Sequence, residues 1–181
     1  MEDLEKQLAE MKSRLDALSN KSPQNKISLI VFSGDLDKAL AAFVIASGAV
    51  AMGMEAVMFF TFWGTPLLRA KGKEAGDKDP MSKMFGAMLP TGARDAKLSK
   101  MNMGGMGTAM MKSLMKKKNV ASLEEFLALA EELGVRIFIC EMSMDLMGFK
   151  REEMIEYEHL TYGGVAGFLA EAQESKIQLF I

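Results

Sequence analysis

"ISLIVFSGD", Ile27 to Asp35, is the stretch on which the fold turns. Ile27 to Phe32 is a β-branched and apolar run of strand length, the mark of a strand buried on both faces of a parallel sheet. Ser33, Gly34 and Asp35 close it. The same three residues open a helix: Ser33 or Asp35 is expected to cap the amides of "LDKALAAFVIASGAVAM", and Gly53 is expected to stop it. The chain then enters "EAVMFFTFWG", a second strand predicted to end near Phe62, Trp63 and Gly64. This first unit is therefore β-α-β, with a right-handed crossover.

The helix and the second strand invite a competing reading. Ala39 to Met54 is apolar and uncharged, and another apolar run follows Glu55. A membrane span needs about 20 consecutive apolar residues, whereas Gly53 and Glu55 divide this one and its second half is aromatic and strand-like. A helix packed on its sheet accounts for both runs without placing Glu55 in lipid.

Further along, "SLEEFLALAEELG" (Ser122 to Gly134) carries a Ser122/Glu125 capping box, an apolar face of Leu123, Phe126, Leu127 and Ala130, and a C-terminal glycine. It leads into "VRIFIC", a strand of the same buried type. "KREEMIE" reads as helix, Glu158 to Leu160 as a short strand, "GGVAGFLAEAQES" as helix and "KIQLFI" as a last strand. The expected architecture is a three-layer α/β/α domain over residues 26–181, with a mostly parallel sheet of about five strands.

Two additions flank this pattern. Leu4, Leu8, Met11, Leu15 and Leu18 recur at the a/d spacing of a coiled coil, so residues 1–22 are expected to form an N-terminal coiled-coil-like oligomerisation helix. An ordinary amphipathic helix packed on its own domain is the alternative, and "SNKSPQNK" serves as the linker. Residues 65–118 form a long, methionine-rich insertion. Nine of the chain's 18 methionines lie between Met81 and Met115, and methionine makes adaptable apolar surfaces. Within it, Arg69 to Pro80 reads as charged and exposed. Met81, Met84, Phe85 and Met88 form an apolar cluster that needs a surface to cover, and "TAMMKSLMKKK" is an amphipathic basic helix. A membrane surface as its partner is not favoured over a place on the domain's own surface.

Composition sets the remaining bounds. The 181 residues carry 22 Lys+Arg against 24 Asp+Glu, a formal charge of -2, so no nucleic-acid partner is expected from global charge. There is no G-x-G-x-x-G after the first strand, no phosphate-binding Walker motif and no His/Cys cluster, so neither a cofactor nor a metal is expected. "GGMG" at Gly104 to Gly107 is a weak phosphate cradle. One cysteine cannot make an internal disulfide and no secretory signal precedes the first charged residues, which points to a reducing compartment, the cytoplasm.

That cysteine, Cys140, closes the strand "VRIFIC". The ligand crevice of an open α/β sheet lies at the carboxyl ends of its strands, where Ser33, Gly34, Asp35, Phe62, Trp63, Gly64, Cys140, Met142 and Ser143 should emerge together. Ser143 or Asp145 capping a short helix would bring free amides near the sulfur and favour the thiolate; Glu141 would oppose this if it points inward. A strand cysteine is also commonly a small buried hydrophobe, and position alone leaves both readings open.

"CEMSMDLMGFKREEMIE" followed by "GGVAGFLAEA" resembles the DsrE/DsrF/DsrH-like family, in its larger branch marked by C-x-M-S-M-D-L-M-G. "LIVFSGDLDKALAAFVIASGA", "FFTFWG" and "MNMGGMGTAMMKSLMKKKNVASLEEFL" are similar to that branch as well, so the resemblance covers Lys26 to Ile181. It implies the α/β/α fold, a homo-oligomer, and sulfur relay in which Cys140 carries sulfane sulfur as a persulfide; position at the carboxyl edge, not the resemblance, adds Ser33, Asp35 and Trp63 as the expected pocket border and Ser143 with the amides after it as the expected support of the anion. The implied partners are rhodanese-like or TusA-like sulfur donor and acceptor proteins. Two other functions remain open: a thiol redox sensor using the same cysteine, and a membrane- or partner-binding module in which Cys140 only packs.

Overall fold

A computed structural model describes residues 2–21, 23–73, 75–76 and 78–181, without the side chains of 2, 3 and 15–21. The sheet is built from β1 (Gln24–Val31), β2 (Glu55–Phe60), β3 (Arg136–Cys140), β4 (Leu160–Gly163) and β5 (Ser175–Phe180), in the order β4-β3-β2-β1-β5. Every pairing is parallel. The expected strand at Glu158 to Leu160 instead starts at Leu160, because the 157–159 turn is closed by Leu160 N–H donating to Tyr157 O.

Side-chain alternation along each strand splits the core in two. On one face Leu29, Val31, Met58, Phe60, Ile137 and Ile139 pack with α2 (Leu36–Ala51) and α5 (Leu123–Glu132). Helix α2 can lie close to the sheet because Ala39, Ala42, Ala46 and Ala49 share its buried side. On the other face Val57 and Phe59 pack with Phe168 and Ala172 of α7 (Val165–Gln173), and the Phe59 and Phe168 rings stack at 5.0 Å. Helices thus cover both faces, as the continuous apolar strands require.

The capping box of α5 forms as read: Ser122 Oγ accepts from Glu125 N–H and Glu125 accepts from Ser122 N–H. The start of α2 differs. Neither Ser33 nor Asp35 caps the helix amides; Ser33 Oγ donates to Asp35 Oδ2 at 2.8 Å, Lys38 pairs with the same oxygen, and Leu36 N–H is met by Lys97 O. The long segment between β2 and β3 supplies that carbonyl, so it displaces the expected side-chain cap.

A 3-10 stretch, Phe62–Leu68, leads from β2 into the insertion, which holds α3 (Pro80–Met88) and α4 (Met106–Lys117). Arg69 is buried, against expectation: its guanidinium donates to Gly86 O and Pro90 O and lies over Phe149. Lys78 and Glu153 form a buried ion pair at 2.5 Å. These contacts hold the charged stretch against the domain. The α3 cluster turns outward instead of inward, with Met81, Met84 and Met88 exposed, and most α4 methionines are exposed too. Helix α1 (Glu2–Lys21) leaves Leu4, Leu8 and Met11 exposed. Leu15 and Leu18 lie among the undescribed side chains. Among the described residues, no helix is long and apolar enough to cross a membrane.

Candidate functional site

Cys140 is the last residue of β3 and the N-cap of α6 (Glu141–Met147). Ile137 and Ile139 face the α2/α5 side, so Cys140 faces α7, and it belongs to the cluster of Val57, Phe59, Phe168 and Ala172. It is 3% exposed. Helix α7 starts two residues beyond Gly163, the residue paired with Cys140 across the sheet, and its N-cap, Gly164, offers no side chain to cap its first amides. The amino ends of α6 and α7 therefore both fall at the carboxyl end of β3, and helix amino ends favour negative charge. Glu141 does not oppose this from inside: it is partly exposed and pairs with Arg151, which lies over the Tyr162 ring.

Contrary to the expectation from sequence, neither Ser143 nor Asp145 caps α6: both lie inside the helix, whose N-cap is Cys140. The Ser143 hydroxyl is fully buried, accepts the Phe62 N–H at 2.9 Å and lies 3.0 Å from Thr61 Oγ1. Phe62 stands at φ 44, a conformation bulky residues rarely adopt, and this bond fixes it. Ser143 thus ties the turn after β2 to the helix after Cys140.

The predicted rim residues fall into two groups. Cys140, Met142, Ser143 and Phe62 gather around the ends of β2 and β3, with Met142 exposed. Ser33, Gly34, Asp35 and Trp63 line a cavity of about 860 Å³ with Phe32, and Cys140 is not part of that lining. Gly64 serves neither group: a Cβ there would lie 2.2 Å from Val31 O, so glycine permits the close approach of the turn after β2 to β1. His159 is remote from the thiol, its carbonyl accepting from Ile137 N–H toward the other end of β3.

Sequence reading passed over Thr61, Phe168 and the clamp on α7. Arg136 makes two hydrogen bonds to Glu171 of α7, Lys26 makes a third, and the Arg136 guanidinium holds the Glu171 carboxyl at about 2. The four-residue spacing of Phe168 and Ala172 in "GGVAGFLAEA" was the available signal, since it places them on one helical face.

Comparison with known proteins places this geometry among relatives. The model of the DsrE/DsrF/DrsH-like family matches residues 23–180. The "Uncharacterized protein YrkE" of Bacillus subtilis is 44% identical over 156 residues, 86% of this chain and 96% of its own length. The "Sulfur carrier protein DsrE2" of Allochromatium vinosum is 38% identical over 170 residues, 87% of this chain and 99% of its own. Among solved structures, the ychN protein from E. coli aligns with a TM-score of 0.47 and 8% identity, over 86% of this chain and 98% of that one.

Proposed function

The chain belongs to the DsrE/DsrF/DrsH-like family, and from that premise we propose that it carries sulfane sulfur as a persulfide on Cys140. The observation that supports this reading is the place of the thiol, at the carboxyl end of a parallel strand with two helix amino ends beside it. The likeness to a protein named as a sulfur carrier supports it independently.

The reaction needs no metal. Cys140 thiolate attacks the outer sulfur of a donor persulfide, R–S–SH; a new S–S bond forms to Cys140, the donor S–S bond breaks, and R–S⁻ leaves with the electron pair. An acceptor thiolate then attacks the outer sulfur of Cys140–S–SH and displaces the Cys140 thiolate. No net oxidation occurs. As Cys140 is the only cysteine, sulfur leaves to another molecule or another copy of the chain. Donor and acceptor are rhodanese-like or TusA-like proteins in the cytoplasm.

Burial of the sulfur sets a condition: α7, with Phe168, must shift for a donor to reach it. Contact with the partner supplies that shift, and between encounters the same packing shields the persulfide from stray thiols. Transfer from the loaded protein to an acceptor thiol, followed for wild type and Cys140→Ser, tests the reading. Wild type is expected to pass sulfur on and the variant to pass none; equal transfer by both would remove the proposal.

A further inference from the structure

The structure assigns this chain a second binding site, the cavity at the end of β1, and the ligand it fits is a small organic anion of the nucleotide class, a planar ring joined to phosphate. Topology gives the first reason. From β1 the sheet steps through β2 and β3 to β4, then returns to the other side of β1 as β5, with α2 and α7 on opposite faces. Open α/β sheets take ligands at the carboxyl ends of the strands where the order reverses in this way. Residues 32–35 of that position line the cavity, whose volume of about 860 Å³ is that of a small-molecule site.

Charge gives the second reason. Lys38, Arg94, Lys97 and Lys112 line the cavity against only Asp35 and Asp95. Asp35 already holds Lys38 and Ser33, while Arg94 and Lys97 have no carboxylate partner among the described residues. The surplus favours an anion. A neighbouring hollow of about 940 Å³ shares Arg94, Asp95 and Lys112 with this cavity but adds Lys116, Glu124 and Glu125, so three cations face three carboxylates there and the surplus lies on the Lys38 and Lys97 side.

Trp63 gives the third. Residues 64–68 of its 3-10 stretch are buried, yet Trp63 itself is 48% exposed and belongs to the cavity lining. Its backbone is fixed by close packing, since a Cβ on Gly34 would lie 2.3 Å from Trp63 O. A half-exposed indole beside cations is a stacking plate for a flat ring. An inorganic anion would leave Trp63 unused, and an apolar ligand would leave the cations unpaired. As the thiol does not line this cavity, binding is independent of sulfur loading.

Trp63 is the only tryptophan, so its fluorescence reports this cavity alone. The full chain is titrated with AMP, with adenosine and with inorganic phosphate. A saturable change with AMP is expected, at least about tenfold weaker with adenosine or phosphate. The Arg94→Gln/Lys97→Gln variant, altered only at exposed positions and checked for folding by circular dichroism, is expected to bind AMP about tenfold more weakly. Cys140→Ser should titrate as wild type. No saturable change with AMP, equal binding of adenosine or phosphate, or an unaltered double variant would overturn the assignment.

Discussion

Glu171 and Arg136 meet through two hydrogen bonds of 2.6 and 2.8 Å, and this pair joins α7 to the strand that ends in Cys140. Lys26 reaches the same carboxylate at 2.9 Å. The clamp therefore holds at one end the helix whose Phe168 covers the thiol near the other.

Removing the clamp should loosen the cover. Glu171→Gln is expected to raise hydrogen exchange along Val165–Gln173 and to speed labelling of Cys140 by a thiol reagent at neutral pH. The sign of the pH effect follows from the depressed carboxyl, held at about 2 against an ordinary 4.5. Its stabilisation is fully present above about 4.5 and is lost as pH falls from there toward 2. Thermal unfolding of wild type should weaken across that window, and the variant should show a smaller fall.

The buried Lys78–Glu153 pair, 6% and 1% exposed, gives a second test. Glu153 also accepts from Ala75 N–H and Lys150 N–H. Glu153→Gln leaves a buried ammonium without its counter-charge, which costs about 3–5 kcal/mol. Chemical denaturation should show that loss, with faster exchange at residues 70–79. An unchanged midpoint would mean the pair does not hold the insertion down.

Two glycines separate backbone crowding from helix propensity. A Cβ at Gly34 meets Trp63 O at 2.3 Å, whereas nothing lies within 4 Å of one at Gly48. Gly48→Ala should stabilise the protein by about 0.5–1 kcal/mol, as expected inside a helix. Gly34→Ala should destabilise it and shift the emission of Trp63. Opposite results in the two variants would contradict the geometry at the end of β1.

The exposed Leu4, Leu8 and Met11 stripe predicts self-association, because a short amphipathic helix gains little stability alone in water. Light scattering is expected to show an oligomer, weakened by deleting residues 1–22. A monomer at micromolar concentration would reject this.

Much of the fold was legible because its strands are short apolar runs between glycine-bearing turns: Ile27–Phe32, Val57–Phe60 and Ile137–Cys140 announce a buried parallel sheet before any contact is known. The candidate site was legible only in part. Residue position predicts that Ser33, Trp63 and Cys140 share the carboxyl edge, but the path of each turn decides that Trp63 lines the β1 cavity while Cys140 faces α7. Ser143 reads as a helix cap by type, yet it lies inside α6 and holds Phe62. Arg69 and Lys78 read as solvent-facing charges, because nothing local reveals that Phe149 and Glu153, about 80 residues on, will bury them.

The carrier role rests on one sulfur atom, that of Cys140. The purified protein, incubated with a low-molecular-weight persulfide and examined by intact-mass and peptide mass spectrometry, should gain single-sulfur increments on the peptide containing Cys140. A reductant should remove them, and Cys140→Ser should gain none. If neither the wild-type protein nor the Glu171→Gln variant, in which α7 is loosened, gains sulfur, the carrier role is contradicted and Cys140 is a packing residue.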